Sequence, residues 1–168
     1  MNPHLAPPQR EIRSAIFTTA GWVSGTFVIP KMRMLVDYLN QPNDFYKLRE
    51  VQLPGLTIGV PFFALQRRSV ILIVPHEQDE ALRMTTLGGE KVERSVSCAF
   101  PAGLVSGTLF VREGIRVSDF LMQRNDFFYL QEATVHLRVS GQPDLRRDAA
   151  LVVVNGNQII GVSEPRIV

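Results

Sequence analysis

Two stretches of the chain repeat each other without a gap. Residues 20–53 read AGWVSGTFVIPKMRMLVDYLNQPNDFYKLREVQL, and residues 102–135 read AGLVSGTLFVREGIRVSDFLMQRNDFFYLQEATV, an offset of 82 positions. Fourteen of the 34 aligned positions are identical, whereas typical residue usage would give about two by chance. The pattern indicates an internal duplication, and the two copies are therefore expected to share one fold.

Each copy is predicted to open with a hairpin of two strands. β-Branched, aromatic and small side chains flank an Ala-Gly turn, with strands expected over 12–18 and 23–29 in the first copy and over 94–100 and 105–111 in the second. Gly25 and Gly107 fall inside the second strand, where glycine usually marks a bulge, a bend or a close approach of backbone. A small barrel needs such a bend, because its sheet must curl strongly.

A short amphipathic helix is predicted next in each copy. Apolar side chains recur at positions i, i+3 and i+4, which are Leu35, Tyr38 and Leu39 in the first copy and Val117, Phe120 and Leu121 in the second. Ser118 is the expected N-cap, and Asp119 lies in the first turn, where the helix dipole favours an anion.

The rest of each copy is predicted to form strands. The third strand starts at Phe45 or Phe127, and the fourth is VILIVP (70–75) or ALVVV (150–154), apolar enough to be covered on both faces. In the second copy a fifth strand, QIIGV, follows the turn pair Asn155-Gly156.

The predicted fold is mainly β, built from a β-β-short α-β-β-β unit. Its size suits a small Sm-like or SH3-like barrel, and the pattern fits either two tandem barrels or one larger barrel built from two half-units. We place a disordered tail at 1–10, the first repeat at 11–87, a linker at 88–91 and the second repeat at 92–168. The linker contains Gly88-Gly89, a typical breaker.

The composition predicts an ordinary soluble, cytoplasmic protein. Hydrophobic residues make up 45% and charged residues 20% of the 168 residues, close to globular averages. Cys98 is the only cysteine, which excludes an intrachain disulfide and CxxC sites and suits a reducing compartment. The N-terminus does not resemble a signal peptide, and no apolar run reaches the ~20 residues of a membrane-spanning helix.

The stretch GTLFVREGIRVSDFLMQRNDFFYLQEATVHL resembles a bacterial family of unknown function. Its members carry a glycine-containing strand, then a helix with the motif R-[LV]-S-D-[FY]-L. Residues 116–121, RVSDFL, match the motif, whereas the first copy keeps only Asp37, Tyr38 and Leu39 and has Val36 in place of the serine. The resemblance implies a small β fold and brings no activity or ligand.

No catalytic or cofactor motif is found. The chain has no GxxxxGK[ST], GxGxxG, GxSxG or HExxH segment, and its three histidines do not recur between the copies. Duplicated carboxylates, which could share a proton or a metal, are Asp37, Asp44, Asp119 and Asp126. Their places at helix starts and turns favour a structural role, so we expect no enzyme, metal or cofactor. A metal-dependent hydrolase is the third hypothesis.

Two arginine pairs suggest the second hypothesis, an Sm-like module that binds RNA or a nucleotide. Arg67-Arg68 and Arg146-Arg147 each precede an apolar strand and could form matching anion sites. Guanidinium groups and aromatic rings together suit single-stranded RNA. The net charge of +2 is spread evenly over the two halves, whereas phosphate binding favours a concentrated basic surface.

The preferred hypothesis is a non-enzymatic adaptor or scaffold that binds protein partners or copies of itself. The segment LPGLTIGVPFFAL (53–65) is apolar, and its two prolines argue against a central strand. We therefore expect Phe62, Phe63 and Leu65 either to lie in a partly exposed loop that binds a partner or to plug one end of a barrel.

Overall fold

The computed structural model describes residues 7–76, 90–123, 125–141 and 143–165. The first copy forms strands β1 Gln9–Thr18, β2 Gly21–Pro30, β3 Phe45–Gln52, β4 Val60–Gln66 and β5 Val70–Pro75, with helix α1 Leu35–Leu39. The second forms β6 Lys91–Phe100, β7 Gly103–Arg112, β8 Phe127–Leu137, β9 Leu145–Asn155 and β10 Gly161–Ser163, with helix α2 Val117–Met122. Single 3-10 turns, Arg67–Ser69 and Gly156–Gln158, precede β5 and β10.

All ten strands form one antiparallel sheet in the order β10-β6-β7-β8-β9-β5-β1-β2-β3-β4. Each copy contributes its strands in the same order, fifth-first-second-third-fourth, and the copies join where β5 pairs with β9. The predicted mainly β class is confirmed. The alternative of one larger closed barrel is wrong, because the copies meet through a single pair of strands and the described sheet ends at β4 and β10.

A bulge bends the second and third strands at the same place in both copies. The register of β2 and β3 shifts between Ser24 and Thr26, so that Gly25 faces two residues of β3, and Glu50 there has φ 49°. A Cβ on Gly25 would lie 3.0 Å from Val51 Cγ2. In the second copy Gly107 and Glu132, with φ 45°, repeat the arrangement. Of the alternatives that the two glycines indicated, the structure shows a bulge with a close approach, and its extra residue lies in the third strand opposite each glycine.

The sheet has two hydrophobic cores, and the central strands contribute to both. Val70 and Ile73 of β5 enter the first core, whereas Ile71, Leu72 and Val74 enter the second. From Leu72 onward this alternation follows from the twofold side-chain period of a strand, and Ile71 is the extra residue where the register with β1 shifts. It explains why VILIV is apolar throughout, as predicted, and it makes the junction between the copies part of both cores.

Three assignments made from the sequence are wrong. VILIVP is the fifth strand of its copy, because Val60–Gln66 forms the fourth. Phe62, Phe63 and Leu65, for which a partly exposed loop was one expectation, lie in β4 instead. Pro61 is tolerated in this strand because β4 is an edge strand of the described sheet, and its outer side forms no ladder that needs the missing N–H. Helix α2 has Arg116 at its N-cap, without a side-chain cap, while Ser118 lies inside the helix.

The structure moves the predicted boundaries of the N-terminal tail and of the linker between the repeats. Gln9 and Arg10, placed in the disordered tail, belong to β1. Residues 1–6 and Gly88-Gly89 lie outside the described residues, and β6 already begins at Lys91. No helix among the described residues is long and apolar enough to cross a membrane.

Candidate functional site

The junction between the copies is held by a short ladder and a set of side-chain hydrogen bonds. The ladder pairs Leu72 with Val154 and Ile73 with Val153. Asn40, at the end of α1, extends it, because its side chain donates to Phe127 O at 2.9 Å and accepts from Phe127 N at 2.9 Å. The Asn40 amide thus serves as the hydrogen-bonding partner of the Phe127 backbone.

Arg67 links the two copies beside this ladder. Its guanidinium donates to the carboxylate of Asp126 and to the backbone oxygen of Gln41, and it lies 5.5 Å from the centroid of the Phe127 ring. The Arg67 side chain is only 16% exposed. A charge-assisted hydrogen bond and a cation–π contact therefore commit this side chain to the junction.

Three further hydrogen bonds cross the junction. Val36 N donates to the Tyr129 hydroxyl at 3.0 Å. Asn155 Nδ2 donates to Val70 O at 2.7 Å, and Gln158 Nε2 donates to Arg68 O at 2.7 Å. Sequence reasoning missed all three contacts; it named Arg68 only as an anion-site candidate and read Asn155-Gly156 as a hairpin turn, whereas Gly156 begins a 3-10 turn. The sequence signal that could have pointed to these contacts is a difference between the copies at aligned positions, where Asn40 faces Met122 in the alignment and Lys47 faces Tyr129.

An open cleft of about 700 Å³ lies beside these contacts. Its charged lining residues are two arginines and two aspartates, and amide side chains provide much of the rest; they are Arg67, Arg68, Asp44, Asp126, Asn40, Asn43, Asn155, Asn157 and Gln158. Arg67 binds Asp126, whereas the neighbouring Arg68 is exposed to solvent. The cleft is polar and close to neutral in charge.

The two arginine pairs do not form matching sites. Arg67 N donates to Asp44 O, and in the second copy Gly156 N donates to Asp126 O, so Gly156 occupies the place of Arg67. Arg146 and Arg147 instead lie in β9, opposite His136 and Val135 of β8. The sequence alignment of the pairs is therefore wrong, because it matched the strand after Arg67-Arg68 with β9 when its counterpart is β10.

The three apolar residues proposed as a partner site point to different faces of β4. Phe62 is 56% exposed, Phe63 is partly buried against the first core, and Leu65 is 4% exposed. Alternation along the strand explains the difference. Only Phe62 of the three presents most of its side chain to solvent, so Leu65 is withdrawn from the candidate contact surface.

Exposed apolar side chains gather at the two ends of the sheet, which we call the open edges. Eight large hydrophobic side chains in the described residues are prominently exposed. Six belong to the open edges: Phe45, Leu56, Ile58 and Phe62 on β3, β4 and the loop between them, and Met122 and Ile160 beside β10. The concentration of apolar surface at strand edges is the second candidate feature of the molecule.

The duplicated aspartates do not converge on one site. Asp44 and Asp126 line the cleft, Asp37 lines a separate pocket beside Phe120, and Asp119 is exposed on α2. The described residues contain no group of three His, Cys, Asp or Glu side chains that could hold a metal ion. Cys98 is fully buried in the second core, where it packs as a small hydrophobe, and burial raises the pKa of its thiol to about 11.

Comparison with models of known protein families, with curated proteins and with solved structures finds no match to this chain.

Proposed function

We propose that the protein is a non-enzymatic assembly module that binds polypeptides through the open edges of its sheet. The observation that carries this proposal is the exposed apolar surface at both edges. Natural proteins usually protect an edge strand with charges, because its free N–H and C=O groups template pairing with another chain. β4 reads VPFFALQ and contains no charged residue, so Pro61 is the one blunting device within the strand itself. Strand addition at such an edge is a recurrent mode of peptide recognition.

We also infer that each copy is a small Sm-like or SH3-like unit. Support comes from the predicted β-β-α-β-β-β order and from the bulged, bent strand that a tightly curved small sheet requires. The membership suggested by the RVSDFL motif stays a prediction, as do the cytoplasmic location and the absence of an enzymatic role.

Nucleic acid binding is the second candidate, supported by the exposed Arg68 among the amides of the junction cleft. Asp44 and Asp126 in the same lining oppose it, since phosphates favour a positive surface. A hydrolase that uses the aspartates has no comparable support, because only Asp44 and Asp126 share the cleft and Asp126 is bound by Arg67.

Capture of native partners tests the proposed function. Phe62→Asp with Ala64→Asp adds charge to the exposed face of β4 and should abolish capture from a native extract while leaving the circular dichroism spectrum unchanged. Met32→Asp is the matched control, since Met32 is 88% exposed and lies between β2 and α1, on neither edge strand. Equal capture by the double variant would contradict the proposal, and captured RNA that depends on Arg68 would favour the second candidate.

A further inference from the structure

The open edges can be compared residue by residue with the junction. Phe45 pairs with Gln66 in the first copy, and Phe127 pairs with Asn155 in the second. Likewise, Ile16 pairs with Ile73, and Cys98 pairs with Val162. Phe45 matches Phe127 and Ile16 matches Cys98 at the offset of 82 that holds for the first three strands of each copy, so their partners must also match. Residues of the last two strands therefore correspond at an offset of 89 positions.

The apolar residues exposed at the open edges correspond to residues that the junction buries. Phe45, 54% exposed, corresponds to Phe127 at 1%. Phe62, 56% exposed, corresponds to Leu151 at 3%, and Ile160, 70% exposed, corresponds to Ile71 at 6%. The edge at β4 thus resembles the β9 side of the junction, and the edge at β10 resembles its β5 side.

The backbone of the two edges permits the same ladder. Leu72 and Ile73 correspond to Gly161 and Val162, whereas Val154 and Val153 correspond to Leu65 and Ala64. Pro61 corresponds to Ala150, which lies outside the two paired positions of the junction. A β4 strand can therefore pair with a β10 strand in the register of the junction without needing an N–H from proline.

Asn40 and Arg67, the two side chains that chiefly hold the junction, have no polar counterpart at the open edges, whereas Tyr129 and Asn155 correspond to the polar residues Lys47 and Gln66. Asn40, which binds the Phe127 backbone, corresponds to Met122, which is 84% exposed. Arg67 corresponds to Gly156, so the pair with an aspartate is missing. A junction formed between chains would therefore place Met122 of one chain in apolar contact with Phe45 of the next, where Asn40 binds the Phe127 backbone within the chain.

We propose that the occupant of each open edge is a second copy of this chain, which pairs its β4 with β10 of its neighbour as β9 pairs with β5 within the chain. The inference rests on the proposed function and names its partner. The contact is heterologous, because it joins two different edges. Repetition gives a ring where the rotation closes and a filament where it does not.

Complementation of two edge variants tests this pairing. Phe62→Lys should disable the β4 edge, and Ile160→Lys should disable the β10 edge; both positions are exposed, so both variants should fold. Sedimentation velocity should show concentration-dependent association of the wild type and monomers for each variant alone. A mixture of the two should form a dimer and nothing larger, because one intact edge of each kind remains available.

Leu104→Lys is the matched control, since Leu104 is 48% exposed on the interior strand β7; it should associate like the wild type. A second pair of single variants, Phe45→Lys and Met122→Lys, repeats the complementation at the proposed contact between Met122 of one chain and Phe45 of the next. Self-association of either edge variant alone would indicate like-with-like edges and overturn the inference, as would a mixture that stays monomeric. A monomeric wild type that still captures partners through Phe62 would overturn the inference and leave the proposed function standing. A monomeric wild type that captures nothing would overturn both.

Discussion

The junction and the open edges are built from corresponding strands and differ in what covers them. At the junction, a ladder of only two residue pairs is supported by side chains that reach across, chiefly Asn40 and Arg67. At the open edges, the corresponding positions carry Met122 and Gly156, and the apolar residues around them face solvent. Within the chain, polar side chains support the pairing of β5 with β9, whereas at the open edges the corresponding apolar side chains face solvent and are the surface through which we propose contact between chains.

The largest expected effect is a difference in the free energy of unfolding between a substitution at the junction and the same kind of substitution at the corresponding position of the β4 edge. Val153 is fully buried at the junction, and its counterpart Ala64 is exposed on β4. Val153→Asp would bury an unpaired carboxylate and should lower the free energy of unfolding by more than about 4 kcal/mol. Ala64→Asp should change it by less than about 0.5 kcal/mol. Urea denaturation of dilute protein measures both, and similar losses would show that β4 is covered within the monomer.

A smaller difference in the free energy of unfolding is expected between alanine substitutions of Asn40 and of its counterpart Met122. Asn40→Ala leaves the buried backbone N–H and C=O of Phe127 without their partner and should lower the free energy of unfolding by about 1–3 kcal/mol. Met122→Ala removes an exposed side chain and should be close to neutral in the monomer. Thermal and urea unfolding check the pair; a neutral Asn40→Ala would show that the ladder alone holds the junction.

The duplication allowed much of the fold to be predicted from the sequence. Gly25 and Gly107 recur because a Cβ would meet the opposite strand, so a matched glycine inside a strand correctly predicted the bulge. The paired helices and the mainly β class were predicted for the same reason, since residues shared by two diverged copies are those that local geometry demands.

The errors arose where the two copies differ or where tertiary position decides. The two prolines of residues 53–65 correctly argued against a central strand, but the loop expected there is wrong, because β4 forms at the edge of the described sheet, where proline is tolerated. The chance similarity of Arg67-Arg68 to Arg146-Arg147 led to an alignment of β5 with β9, whereas β4 corresponds to β9 and β5 corresponds to β10. The junction contacts of Asn40 and Tyr129 link residues 87 and 93 positions apart, and no local pattern encodes such pairings.

Disulfide trapping tests the central claim, pairing of β4 with β10 in the register of the junction, most directly. Ala64→Cys and Val162→Cys, combined with Cys98→Ala, place cysteines at positions that correspond to the junction pair Val153 and Ile73. Mild oxidation should give a ladder of covalent oligomers on a non-reducing gel. Ala64→Cys with Ser163→Cys, shifted by one residue and so pointing to opposite faces, should cross-link poorly. Equal cross-linking in the two variants, or none in either, would contradict the account.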